Sequence, residues 1–274
     1  MDPDEGMVLV GSLAISCVAG IRWYLRLARA GAPYSAATPS TRLILGALPI
    51  VLLVALGWAL RAGAAREVRG DSAYLLLFLT LGATWMVLTW KLTAWLGIDV
   101  GDDALERNNT AACVAACGAL VGSMTIYAFA NLGEGPTIWT TIGPATLGAF
   151  TGLVLTAAYQ SLSGAADAIT IDRDLASGAR FAGLVLAGGL IVGHPLAGDY
   201  ISAPSTFADF YRAAWPALPL VAVAASIERR LRPSSERPRP APLRYGLLPA
   251  LAYVTLGAID VIYLGYSTAS RAPR

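Results

Sequence analysis

The sequence predicts an all-α polytopic membrane helix bundle, with about eight transmembrane helices and a parallel duplication at its centre. Three observations lead there. Apolar residues fill 56% of the 274 positions and charged residues 14%, against about 25% charged in an ordinary soluble domain. The apolar residues gather in eight runs, each near the roughly 20 residues a helix needs to cross the hydrocarbon. A helix start followed by a small-residue face occurs twice, in Ile98–Gly122 and again in Ile169–Gly193.

The runs are Met7–Leu27, Leu43–Leu60, Ala73–Leu96, Ala111–Leu132, Ile138–Leu162, Ala179–Gly198, Phe210–Ile227 and Leu243–Gly265. An acidic flank, MDPDE, precedes the first, and Arg22, Arg26 and Arg29 close or follow it. That polarity predicts an uncleaved anchor with its N-terminus outside, and not a secretory signal. The seventh run contains Pro216 and Pro219, which predicts a kinked or interfacial helix. With eight spans and the N-terminus outside, fourteen of the twenty lysines and arginines fall in cytoplasmic segments. This matches the positive-inside bias, although Arg61, Arg66 and Arg69 run against it. Loops 97–110 and 165–178 are then cytoplasmic, and the membrane is expected to be a bacterial inner membrane.

Superposing Ile98–Gly122 on Ile169–Gly193 gives eight identities, among them Asp103/Asp174, Gly118/Gly189 and Gly122/Gly193. We read this as a copied helix–loop–helix unit. Each copy holds two spans, so the copies lie parallel. The division is then an N-terminal pair (1–72), a duplicated region (73–231, copies at about 73–135 and 138–205 plus a following helix), and a last part (232–274). In the last part a proline- and arginine-rich linker, Arg232–Pro242, precedes the final span. On a helix, Ala111, Ala115, Gly118 and Gly122 share one narrow face. Close backbone approach at such faces drives helix association in lipid. Gly118, Gly122, Gly148, Gly152, Gly189 and Gly193 are therefore the predicted packing residues.

Asn109-x-Ala111-Ala112, with Gly118 and Gly122 beyond, resembles the YjfL-type family of bacterial inner-membrane proteins (domain of unknown function 350) over about 73–231. The second copy departs from that pattern, with Arg180 in place of the asparagine and Gly183 in place of an alanine. The resemblance implies a membrane hairpin repeat and a link to envelope stress, and no defined activity.

Asp102, Asp103, Glu106, Arg107, Asn108 and Asn109 form the densest polar cluster beside a membrane helix. Their oxygens are hard ligands, so one reading is a cation or partner site. The other is helix capping, because Asp103 precedes Glu106 by three residues. Asp260 lies in the last span, roughly 7 Å from its midpoint. An ionisable group at that depth is costly and needs a partner. The candidates are Lys91, unless Lys91 snorkels to the interface, and Tyr253, Tyr263 and Tyr266. Glu228 is predicted to pair with Arg232. His194, between Gly193 and Pro195, is predicted to be a solvated loop residue. Gln160 either lines a pore or bonds a neighbouring helix. The tryptophans Trp85, Trp90, Trp95, Trp139 and Trp215 suit interfacial anchoring or bundle filling.

Phosphate-cradling loops and the HExxH, CxxC and GxSxG patterns are all missing from the sequence, so no enzyme and no cofactor is expected. A net charge of +2, without basic–aromatic interleaving, gives no footprint for nucleic acid. Three cysteines give no disulfide framework. Cys113 and Cys117 sit four apart with no further ligand close in sequence, so no metal is predicted. The lipid bilayer is the expected partner, with self-association or other envelope proteins beside it. Two functions remain: an associating membrane component, or a channel or transporter for an ion or small solute at the repeat interface.

Overall fold

Among the described residues eight helical stretches are long and apolar enough to cross a membrane, so the chain is an integral multi-pass membrane protein. The computed structural model describes residues 2–30, 37–135, 137–234 and 241–269, and the side chains of the last stretch only to Tyr263. The expected linker Arg232–Pro242 falls largely outside the described residues, as do the side chain of Tyr266 and the arginines 237, 239, 271 and 274.

The helices are α1 (Pro3–Arg29), α2 (Pro39–Gly63), the short α3 (Arg66–Gly70), α4 (Ser72–Trp95), α5 (Thr110–Ala130), α6 (Trp139–Ser163), the short α7 (Ala165–Thr170), α8 (Leu175–Gly193), α9 (Ala203–Ala214), α10 (Ala217–Leu231) and α11 (Leu248–Ala269). No strand occurs among the described residues. π-helical turns, Val100–Glu106 and Pro242–Leu247, lead towards α5 and into α11. The helix starts follow local rules. Pro3 opens α1 behind an Asp2/Glu5 capping box, and Pro39 opens α2 behind a Thr38 cap; proline fits the first turn because no partner is needed there for its missing N–H. The seventh span divides as its prolines predict, into α9 and α10 at Trp215–Pro216.

The centre of the bundle is α5 against α8, with α2 on the far side of α5 and α11 on the far side of α8. The first helices of the hairpins lie outside this row, α1 packed on α4 and α6 on α10. In the spanning windows 56% and 61% of residues are buried in α5 and α8, against 6% in α1. α1 is therefore a peripheral helix held by one face on α4, and α5 and α8 form the core.

The predicted glycines make the central contact. A Cβ on Gly122 would lie 2.5 Å from the Val185 carbonyl oxygen, and one on Gly189 would lie 2.5 Å from that of Gly122. Real Cβ atoms do not approach so closely, so only glycine fits. Gly118 abuts Ala182, Gly148 and Gly193 pack against Ile126, and Gly152 touches the same isoleucine. The α8–α11 contact is built in the same way, with Gly183 on Ala250, Gly246 on Ala176 and Gly257 on Ala187. Residue numbers rise together across both contacts, so α5, α8 and α11 run parallel.

The local backbone corrects the register of the two similar stretches. Asn109 caps α5 and Asp174 caps α8, each accepting from two backbone N–H groups. The residue before each, Asn108 (φ 48°) and Arg173 (φ 53°), is left-handed. Asn109 N–H donates to the Asp103 carbonyl as Asp174 N–H does to that of Ala168. Asn109 thus matches Asp174 and Gly118 matches Gly183, in place of Arg180 and Gly189. Helices rich in alanine and glycine find identities in several registers, and only the caps and turns separate them.

Candidate functional site

The acidic stretch before α5 does not converge on a ligand. Asp99 caps the π-helical turn. Asp103, 7% exposed, accepts from the Asp99 N–H at 3.0 Å and from Arg107 Nη1 at 3.1 Å. Asp102 and Glu106 reach across to Arg26 of α1, at 2.5 and 2.6 Å. Asn108 Oδ1 accepts from the Thr38 N–H and the Thr41 hydroxyl at the start of α2. Buried Asn109 caps α5 with its Oδ1 and donates from Nδ2 to the Ile169 carbonyl at 2.8 Å, which ties α5 to α7. The carboxylates turn towards arginines and backbone donors; the caps are Asp99 and Asn109, and Glu106 pairs with Arg26 and does not cap a helix with Asp103.

Lys91 and Asp260 are not brought together. Lys91 is exposed on α4, while Asp260 on α11 meets His194, with Oδ2 3.7 Å from Nδ1. His194 is 8% exposed, not a solvated loop residue. The helix continues through Gly193 into a single 3-10 turn, His194–Leu196, and carries the ring inward. His194 Nδ1 also lies 3.2 Å from the Ile191 carbonyl. Asp260 Oδ2, His194 Nε2, both amide atoms of Gln160 and the Tyr253 hydroxyl have no hydrogen-bond partner.

The largest buried polar group was not foreseen. Arg180 and Glu228, each fully buried, form a two-point pair, Nε to Oε2 at 2.5 Å and Nη2 to Oε1 at 2.9 Å. The Tyr159 hydroxyl of α6 donates to Glu228 Oε2 at 3.0 Å, and Ser177 Oγ lies 2.6 Å from Oε1. Asp174 sits 3.7 Å from the guanidinium, whose Nη1 donates to the Tyr245 carbonyl ahead of α11. One cluster thus fastens α6, α8, α10 and the start of α11. The predicted Glu228–Arg232 pair is replaced, because α10 turns Glu228 towards α8. Arg180, assigned by sequence to a cytoplasmic segment, lies inside a helix that begins at Leu175. An arginine next to an apolar run was the available signal, but its partner is 48 residues away.

Cavities open at two places among the described residues that bear on function. One, of about 90 Å³, is apolar and opens between α4, α5, α6, α8 and α10, beside Trp85, Gly188 and Leu220. The other, of about 110 Å³, lies at the end of the bundle where α1 begins. Its lining residues include Glu5, Glu67, Glu134, Asp199 and Asp209 and no lysine or arginine. Buried Leu77, Phe78, Ile138 and Leu196 back it, together with Asn131. Two loop segments brace its rim: Gly198 N–H donates to the Leu132 carbonyl, Tyr200 N–H to that of Glu134, and Glu134 N–H to Asp199 Oδ1 at 2.8 Å. No family model, curated protein or solved structure matches the chain.

Proposed function

We propose that the chain is a non-catalytic component of the bacterial inner membrane that associates with itself or with other envelope proteins. Its N-terminus is outside, and loops 97–110 and 165–178 are cytoplasmic. The observation that supports this reading is the dry span between the two buried polar groups. From Phe181 to Gly193, α8 bears only apolar side chains and glycines, about 20 Å of helix at 1.5 Å per residue. A conduit needs polar or hydrated groups across such a depth. Arg180 and Glu228 neutralise each other in place, as a structural clamp does. The arginine distribution supports the orientation. The matched helix starts at Asn109 and Asp174 support reading two copies of one hairpin, and the YjfL resemblance adds the link to envelope stress.

The test is the mass of the protein in an uncharged detergent, by light scattering, and in nanodiscs. The expected result is a complex of more than one 28.5 kDa chain, or of this chain with a co-purifying membrane protein. A monomer that carries an ion current in liposomes, abolished by Asp260→Asn, overturns it. That outcome belongs to the second reading, a conduit at His194 and Asp260, which the unpartnered buried atoms of those two residues favour.

A further inference from the structure

We propose that the lateral cavity walled by α4 and α6 holds one acyl chain of a phospholipid from the adjoining leaflet. Its floor is the central helix pair, Ala119 and Ser123 of α5 with Phe181, Val185 and Gly188 of α8, while α4 stands on one side and α6 and α10 on the other. Leu88 of α4, on the lining and 45% exposed, stands at the mouth. The chain crosses a membrane, so a group that enters sideways at this depth comes from the hydrocarbon or from another helix within it.

The lining suits an apolar occupant. No residue on it is charged. Its hydroxyls are bonded within the bundle: Thr89 Oγ1 and Ser123 Oγ lie 2.7 Å apart, Thr93 Oγ1 donates to the Trp90 carbonyl at 3.0 Å, and Thr156 Oγ1 to that of Gly152 at 2.7 Å. Such walls offer water no free partner, and cavities of this kind take apolar molecules instead. A Cβ on Gly188 would have nothing within 4 Å, so the floor has room there for a group that adds dispersion contacts.

The dimensions name the occupant. Trp85 and Leu96 of α4 both line the cavity, about 16 Å apart at 1.5 Å per residue. That is close to half of the roughly 30 Å hydrocarbon core, the depth of one leaflet. Leu96 ends α4 beside Trp95, which is 75% exposed, and a tryptophan so placed sits at headgroup level. The cavity follows the path of a lipid tail, from one face of the membrane towards its middle. A helix of a second copy would cross the whole thickness. The volume of about 90 Å³ is below the roughly 150 Å³ of an apolar cavity that admits benzene, which suits an unbranched chain better than a ring. The inference rests on the membrane crossing alone; which leaflet supplies the lipid follows from the orientation proposed above.

The experiment titrates the full chain, in an uncharged steroid detergent whose rigid rings do not enter such a slot, with phosphatidylcholine brominated on one chain. Bromine quenches tryptophan on contact, and Trp85 lines the cavity. Quenching is expected to saturate at one lipid per chain, and Trp85→Phe to lose the saturating part. Gly188→Leu fills the cavity and abolishes that part. Gly143→Leu leaves it unchanged, because Gly143 is exposed, outside the lining and clear of neighbours. Circular dichroism checks that both glycine variants keep the parent's helix content. Quenching that rises without saturation overturns the proposal, as does saturation that survives Gly188→Leu. So does a dimer that Gly188→Leu dissolves and the lipid does not, since a second copy then fills the cavity. A chain that is monomeric, or that conducts, overturns the associating reading and leaves this result untouched.

Discussion

Arg180 of α8 and Glu228 of α10 meet through two parallel hydrogen bonds with no solvent on either side chain. Breaking such a pair from one side strands a buried charge. Glu228→Leu or Arg180→Leu alone should therefore cost about 3–5 kcal/mol. The double variant Arg180→Leu/Glu228→Leu should cost clearly less than the two singles together. Unfolding in detergent micelles, followed by tryptophan fluorescence, measures all three. Additive costs would mean that the two groups do not act as a pair.

Arg26 supplies the contrast. Its bonds to Asp102 and Glu106 are half open to water, with carboxylate exposures of 62% and 58%. Arg26→Gln should cost no more than about 1 kcal/mol, and the effect should shrink in salt. The same unfolding assay at two ionic strengths checks it.

Glycine substitutions separate contact from mere composition. Gly122→Val drives a side chain into the Val185 carbonyl and should destabilise by about 1–3 kcal/mol or more. Gly188→Leu has nothing within 4 Å of its Cβ and points into the lateral apolar cavity. It should leave stability within about 0.5 kcal/mol. Equal losses from the two changes would count against the close α5–α8 contact.

Asn109 has two duties that single substitutions divide. Asn109→Asp keeps an acceptor for the Ala111 and Ala112 N–H groups and loses the donor to the Ile169 carbonyl; Asn109→Ala loses both. The alanine variant should cost about 1–2 kcal/mol from the cap alone, and the aspartate variant should keep the cap while setting a buried carboxylate oxygen against the Ile169 carbonyl, a further cost that the alanine variant does not carry. Hydrogen exchange at the start of α5 reports the cap directly.

The spans and the glycine faces were legible in the sequence because each depends on local spacing. Apolar length sets a crossing helix, and Gly118, Gly122 and Gly189 stand at helical intervals. The polar core was not legible. Glu228 has an arginine one turn away in sequence, yet its partner comes from another helix. His194 precedes a proline, which suggests a loop, yet one 3-10 turn carries it into the bundle. The register of the two hairpins depends on left-handed residues at Asn108 and Arg173, neither of them glycine, and composition does not mark them.

The parallel run of α5, α8 and α11 sets three helix starts together within the core of the bundle. Each helix start presents about half a positive charge from its unpaired amides, and three such starts lie side by side. Of the groups at these starts, Asp174 is the charged one that caps its helix directly, through the Ala176 and Ser177 N–H groups. Its negative charge balances part of the field that the amides at the start of α8 create, so Asp174→Asn should loosen that helix start although the cap acceptor is kept.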